Sequence, residues 1–574
     1  MKKLTVILIS GLILLLFKIF SLQSAETGET SGQPVTVKIK VRANSDEGNV
    51  TPIWRFFGYD EPNYSYMEEG SKMLDELAKL KPQPVQIRTH HLLTSGDGTP
   101  WLKWGSTGVY DEDNDGKPIY NWVILDRIFD SFITRGLKPF VEIGFMPKAL
   151  SVKPEPYTNP VVTNGPPVDA VGRGWAYPPK DYNKWAALIE AWVRHYVEKY
   201  GRDEVAGWLW ELWNEPNIAY WKETPEEYYK LYDFTAHAVK KVLPEARMGG
   251  PHTAGTQNGA ERFLRGFIEH CLRGTNYATG KVGTPLDFVA FHAKGGTEFI
   301  NGYVRMNHGN HLRIVDNGFR IVKSYPELKD KPIIIGESDP DGCAACSARF
   351  FPQNNYRNGS QYASYTAATF MRKILLAKQH GVNLYGAVTW AFVFENQPWF
   401  DGFRVLSTRG VPLPVFNTFR MFSMLGERQL EVESPSSTRL YDIMERSVRG
   451  KTPDVDAFAT RSSNSIQVLI WHYHDSGAPG MAVNVELTID KIQPRSGKAK
   501  IEHYRIDDDH SNAYTVWKKS GSPQNPSEEL VKKLKEASEL TLLTPVSEVN
   551  YTDGQYTLKF SMPRQAVSLV ILRL

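Results

Sequence analysis

The chain has 574 residues with 67 basic and 64 acidic side chains, a net charge of +3, too balanced for a nucleic-acid footprint and so arguing against a nucleic-acid partner. Its length exceeds one ordinary domain and predicts a large unit with a smaller one. Aromatic residues make up 12 %, 15 of them Trp; a large core or stacking faces for sugar rings would both account for this.

Lys2 and Lys3 precede an apolar run from Leu4 to Leu16, followed by small residues around Ser24 and Ala25. The pattern predicts an export signal over residues 1–25 and a periplasmic or extracellular protein with no membrane span in its mature form. Lys18 and Gln23 depart from an ideal cleavage pattern, and an uncleaved anchor is the competing reading. Within residues 26–50, Val35 to Val41 alternates as a strand does and is expected to join a sheet formed by the far end of the chain.

Residues 51–427 alternate short β-rich runs with helical patterns. Strands are predicted near Trp54–Tyr59, Pro84–His91, Lys138–Gly144, Trp208–Asn217, Ala246–Gly249, Phe288–His292, Pro332–Glu337 and Asn383–Trp390. Leu125, Ile128, Phe129 and Phe132 recur at helical spacing and stop at Gly136. Thr224-Pro225-Glu226-Glu227 reads as a capping box opening a helix that turns Leu231, Phe234, Ala238 and Val242 inward. Eight strands alternating with helices imply an α/β fold, a closed (β/α)8 TIM barrel.

Residues 428–574 change character. Ser465–Tyr473, Met481–Ile489, Tyr556–Phe560 and Val567–Leu574 read as strands of an antiparallel β-sandwich, with a helical insert at 527–540. Such a module either stabilises the barrel or binds carbohydrate. Of three cysteines, Cys343 and Cys346 lie in C-A-A-C, and no second Cys or His cluster completes a zinc set. A local disulfide or two free thiols is the reading; no metal and no organic cofactor is implied.

Polar groups gather at the strand ends, where a barrel keeps its chemistry. W-L-W-E-L-W-N-E-P-N from Trp208 to Asn217 ends the fourth strand, and Pro216 stops its ladder beside Asn214 and Glu215. The seventh strand ends at Glu337. Strands four and seven lie nearly opposite in an eight-stranded barrel, so two carboxylates face each other over the mouth, the arrangement glycosidic hydrolysis requires. Arg88, His90, His91, Glu142, His292, Lys294, Asp339, Trp390 and Glu395 also fall at strand ends. Glu211, inside the fourth strand, reads as structural.

W-N-E-P-N at Trp213–Asn217, I-G-E-S-D-P at Ile335–Pro340 and R-T-H at Arg88–His90 resemble retaining glycoside hydrolases of the large (β/α)8 clan, and more narrowly family 39, which holds bacterial β-xylosidases and animal α-L-iduronidases. K-P-F-V-E-I-G-F-M-P at Lys138–Pro147, H-C-L-R-G-T-N at His270–Asn276, F-H-A-K-G at Phe291–Gly295 and H-Y-R-I-D at His503–Asp507 extend the likeness through nearly the whole mature chain. The resemblance implies Glu215 as acid/base and Glu337 as nucleophile, with Asn214 on a sugar 2-hydroxyl and Arg88 keeping the nucleophile ionised. His90 and His292 would contact hydroxyls or orient the carboxylates, Trp390 would floor the innermost subsite, and Glu395 would bind a hydroxyl. Glu395–Arg404 and Gln353–Gly359 resemble the xylosidase branch. Lys294 holds a carboxylate in the iduronidase branch; here it binds a uronate, a hydroxyl or a neighbouring acid, with Arg404 either its partner or structural. The implied activity is retaining exo-hydrolysis of an oligosaccharide, as a β-xylosidase, with a uronate or other pentoside hydrolase, or a non-catalytic sugar-binding barrel, as alternatives.

Overall fold

The computed structural model describes residues 34–59, 61–100, 105–156, 174–391, 393–450 and 454–574. The signal predicted over residues 1–25 lies outside them.

Eight parallel strands close a barrel in chain order: β1 (Phe56–Tyr59), β2 (Gln86–Thr89), β3 (Lys138–Ile143), β4 (Leu209–Leu212), β5 (Arg247–Thr253), β6 (Phe288–Phe291), β7 (Ile333–Ile335) and β8 (Leu384–Trp390). β8 returns to pair with β1, Trp390 opposite Gly58. A Cβ on Gly58 would run into the Trp390 indole, so this pairing requires glycine. β1, β4, β6 and β7 are buried at every residue, which is why they read as apolar runs rather than alternating ones.

Each strand is followed by a helix: α1 (Glu68–Leu77), α2 (Val123–Ile133), α3 (Tyr182–Tyr200), α4 (Pro225–Val242), α5 (Gly259–Arg273), α6 (His308–Lys323), α7 (Ser360–His380) and α8 (Pro414–Phe422). α2 buries the predicted stripe of Leu125, Ile128, Phe129 and Phe132. At α4 the Thr224 hydroxyl accepts from the Glu227 N–H at 3.2 Å, a cap worth about 1 kcal/mol. The Glu227 carboxylate accepts from the Tyr182 hydroxyl at 2.5 Å. Leu231 and Ala238 are buried, while Phe234 and Val242 are only partly so.

The rest of the chain forms a nine-stranded sheet. The N-terminal strand Thr36–Arg42 joins β9 (Arg428–Glu433), β10 (Asp454–Ser462), β11 (Ser465–Tyr473), β12 (Val483–Asp490), β13 (Gly497–Ile506), β14 (Thr541–Tyr551), β15 (Tyr556–Met562) and β16 (Val567–Arg573). The order is β14-β13-β16-β11-β10-β9, then the N-terminal strand, then β12-β15. All pairings are antiparallel except that of the N-terminal strand with β12, which runs parallel from Thr36 opposite Asn484 to Arg42 opposite Asp490. That strand is separated from β12 by the whole barrel sequence, so no hairpin dictates its direction. Two helices, α9 (Ala513–Lys519) and α10 (Glu528–Ser538), lie between β13 and β14.

β11 is buried along its whole length. Its Ile466, Val468 and Ile470 join Val37, Ile39, Val41, Val485 and Leu487 in the sandwich core, while Leu469, Trp471 and Tyr473 face the barrel's core. Period-two alternation thus serves two apolar neighbours rather than one apolar face and water. Between barrel and sheet runs α7, buried from Ser360 to Lys373, where Arg372 grips both oxygens of Asp454 at 2.9 and 2.8 Å.

Candidate active site

The chain leaves β4 through two residues with left-handed backbone, Trp213 at φ 67° and Glu215 at φ 45°. Side chains of this size rarely adopt such a conformation, and it persists only where the surroundings hold it. Here the Trp213 N–H donates to Ile143 O at 3.0 Å and the Glu215 N–H to His252 O at 3.1 Å. The Trp213 indole donates to Tyr220 O at 2.8 Å. Glu215 is thereby aimed across the mouth, 7 % exposed, toward Glu337 at 4 % exposure beyond the end of β7.

One oxygen of each carboxylate and a nitrogen of His292 all lie within 4.8 Å of one another. His292 Nδ1 is 2.9 Å from Glu215 Oε1 and 3.6 Å from Glu337 Oε1. Lys294 Nζ sits between the two acids, 2.9 Å from Glu215 Oε1 and 2.9 Å from Glu337 Oε2. Two carboxylates and an imidazole are a donor set a divalent ion can use, but the ammonium already fills the space between the oxygens.

Arg404 approaches Glu337 from the other side, Nη1 donating to Oε2 at 3.0 Å while Nε donates to Asp339 at 2.7 Å. Its guanidinium lies 4.8 Å from the Trp390 ring centre, and Asp339 also accepts from the Trp390 backbone N–H at 2.9 Å. Beneath them Arg88 is fully buried and donates to Glu211 at 2.7 Å, Glu142 at 2.9 Å and Asn214 Oδ1 at 3.2 Å. It reaches Glu337 only at 3.8 Å. His90 Nε2 contacts Glu142 at 3.0 Å and packs its ring against Trp390 at 4.9 Å.

These charges set the ionisation. Burial pushes the Glu215 carboxyl up, but Lys294 and His292 outweigh it and hold the group at about 2. Burial likewise opposes ionisation of Glu337, and Lys294, His292 and Arg404 hold that carboxyl well below the usual range. Burial lowers His292 to about 3, keeping it neutral despite Glu337 and Glu215. Desolvation thus loses to charge at the two acids and wins at the imidazole.

The structure therefore brings together Glu215, Glu337, Asn214, His90, His292, Lys294, Trp390 and Arg88. Glu395 is engaged elsewhere, its Oε1 accepting from the Glu69 N–H at 2.9 Å at the start of α1. Arg404, open to two readings in the sequence, is the guanidinium nearest Glu337. Asp339, which orients it, is placed at a strand end by the sequence but given no role there, and His252, whose carbonyl holds Glu215, is not singled out by the sequence at all. Asp339 lies in I-G-E-S-D-P, two residues past the nucleophile position. His252 carries no signal beyond its place at a strand end. Cys343 and Cys346 are joined by a disulfide with their Cα atoms 5.6 Å apart, and Cys271 is a buried free thiol.

A (β/α)8 barrel with two close, buried carboxylates on opposite strands defines a glycoside hydrolase. The family model for glycosyl hydrolases family 39 matches residues 37–555, and the chain belongs to that family. A β-xylosidase from Geobacillus stearothermophilus is 29 % identical over 506 residues, 84 % of this chain and 85 % of that protein. An α-L-iduronidase from Mus musculus is 24 % identical over 421 residues, 67 % of this chain and 61 % of that protein. The crystal structure of a monomeric β-xylosidase from Caulobacter crescentus superposes with a TM-score of 0.71 at 20 % identity, covering 94 % of this chain and 99 % of that one, a likeness of fold.

Proposed function

We propose that the protein is an exo-acting β-xylosidase that releases xylose from the non-reducing end of xylo-oligosaccharides with retention of configuration. The observation that carries the mechanism is the approach of Glu215 and Glu337 to within 4.8 Å. Retaining enzymes place their carboxyls about 5–5.5 Å apart, whereas inverting ones need about 6.5–9.5 Å to admit a water. Glu337, ionised between Lys294 and Arg404, attacks the anomeric carbon. Glu215 gives its proton to the leaving oxygen, then takes one from the water that hydrolyses the glycosyl-enzyme. Asn214 faces the sugar 2-hydroxyl, His90 and His292 contact hydroxyls or orient the acids, and Trp390 floors the innermost subsite. For Glu215 to act as an acid it must separate from Lys294; burial and the charge of Glu337 then favour its protonated form.

The relative from Geobacillus supports a xyloside substrate. The iduronidase relative, with Lys294 and Arg404 converging on the pocket, favours a uronide as the second reading. Against it, Lys294 already meets Glu215 and Glu337, and Arg404 meets Glu337 and Asp339, so both cations are paired without a substrate anion. A panel of nitrophenyl glycosides tests both: the β-xyloside is expected to turn over fastest, and turnover of an iduronide or glucuronide alone would reverse the order. The Lys2–Leu16 pattern supports export, checked by N-terminal sequencing of the protein recovered from outside the cytoplasm.

A further inference from the structure

Behind Glu215 the barrel holds a second acid that the reaction as described does not use. Glu211 is fully buried in β4. Its Oε1 accepts from Arg88 Nε at 2.7 Å, and its Oε2 lies against His252 Nε2. His252 is the extra residue of a bulge in β5, where the pairing with β6 shifts between Pro251 and Thr253, and its φ is 54°. A bulge re-aims a side chain; this one turns the imidazole into the barrel while its carbonyl accepts from the Glu215 N–H. Glu211 Oε2, both nitrogens of the buried His252 and His292 Nε2 make no aligned hydrogen bond among the described residues, although Glu211 Oε2 and His252 Nε2 touch. His252 Nδ1 and His292 Nε2 approach the position that a Cβ on Gly336 would take: it would collide with His252 and come within 3.1 Å of His292 Nε2. Glycine leaves the space between the two nitrogens open, and the rings stand 5.5 Å apart, edge to face. His292 Nδ1 then contacts Glu215 Oε1 at 2.9 Å.

We propose that Glu211 and His252 store a proton for the general acid and exchange it with Glu215 through His292. The inference rests on the role of Glu215 as acid/base. With the proton on Glu211, its O–H bond breaks as an N–H forms at His252 Nε2. The His252 Nδ1–H passes to a water in the open space between the rings as that water gives a proton to His292 Nε2, and the His292 Nδ1–H passes to Glu215 Oε1. One proton moves in and one moves out at each imidazole, so both rings end neutral, and the negative charge shifts from Glu215 to Glu211 beside Arg88. The reverse sequence recharges the store when Lys294 returns to Glu215. The electrostatics suit this direction. Burial raises Glu211 to about 7 against Arg88, His90 and His292, whereas Glu215 lies far lower while Lys294 touches it. Burial and Arg88, opposed by Glu337 and Glu215, hold His252 neutral, with His90 adding to the effect. Glu142 and Tyr228 also face Glu211.

His252 and Glu211 are then positioning residues acting through Glu215, and the test is a comparison of leaving groups. Glu211→Gln keeps the shape and the neutral form but cannot release a proton; His252→Asn breaks the chain at its middle. Each is assayed on the aryl glycoside selected by the panel, whose leaving group needs no acid, and on the matching methyl glycoside, whose leaving group does. The expected result is a loss in kcat at least tenfold larger on the methyl glycoside in both variants, with the alkaline limb of the kcat profile displaced from that of the parent. An equal loss on both substrates with an unmoved pH profile, or no loss on either, overturns the relay. Glu215→Ala is run alongside: if it shows no leaving-group dependence, the assignment of Glu215 fails, and the relay fails with it. Should one variant not fold by circular dichroism, the other decides.

Discussion

Lys294 Nζ stands 2.9 Å from Glu215 Oε1, so the residue proposed to deliver a proton is held as a paired carboxylate by a lysine that also touches Glu337, the proposed nucleophile. The ammonium thus reports on both acids at once, and removing it separates their contributions.

Replacing Lys294 with Met is expected to move the acidic limb of the pH–activity profile upward. The proposed mechanism requires ionised Glu337, so activity is lost as pH falls through its pKa, which Lys294 helps hold well below the ordinary value. Without the ammonium, burial gains ground and the limb shifts toward neutrality. The check is kcat/KM against pH on an activated glycoside; a limb that stays in place or moves down contradicts the electrostatics.

Glu337→Gln should lower kcat on the order of 10⁴-fold or more on every substrate, as loss of a nucleophile does. Glu215→Ala should spare aryl glycosides with good leaving groups, and added azide should restore rate by trapping the glycosyl-enzyme. Near-parental activity in Glu337→Gln would mean the nucleophile lies elsewhere.

The buried Lys373 of α7 donates to Ser338, next to Glu337. Burial lowers its pKa from 10.5 to about 7, with only Asp339 opposing. Between those values the unfolded chain binds a proton that the native protein does not, so this group's contribution to stability rises as pH rises, at a slope of up to about 1.4 kcal/mol per pH unit. Lys373→Met abolishes that dependence. Its Tm relative to the parent is expected to be higher at about pH 6, below that window, than at about pH 9, inside it, in thermal unfolding; a difference that grows with pH would refute this.

Breaking the pair between α7 and β10 should be costly. Arg372→Met leaves the fully buried Asp454 with the Thr438 N–H at 2.8 Å as its remaining close donor among the described residues. An orphaned buried charge costs about 3–5 kcal/mol, read as a lower midpoint in chemical denaturation. Arg372→Met/Asp454→Leu should recover part of the loss, because the pair rather than either residue carries it.

The barrel was legible because its signal is local: each short apolar run sits between turn residues, and each helix shows its own stripe. Glu215 and Glu337 were legible because their strand numbers fix them across the mouth. Arg404 was not resolved: its partner Asp339 lies 65 positions away, and nothing in a single sequence pairs them. Glu395 misled because a rim carboxylate serves a helix N-terminus as readily as a sugar hydroxyl. The sheet was half read. β10, β13 and β14 carry polar residues along much of their length, and β14 is exposed on both faces over residues 544–548, so alternation gives little to find.

The N-terminal strand has a consequence for biosynthesis. It pairs on one flank with β9 and on the other with β12, yet roughly 450 residues separate it from the end of β12, or roughly 20–90 s of synthesis at ordinary ribosomal rates. Until β9 emerges its apolar face, Val37, Ile39 and Val41, has no partner strand, while the whole barrel emerges and closes. A nascent chain in this position calls for shielding, by a chaperone or by the ribosome-proximal barrel itself, and a purification tag fused directly ahead of Thr36 would burden a seam that is sewn only after the barrel has emerged.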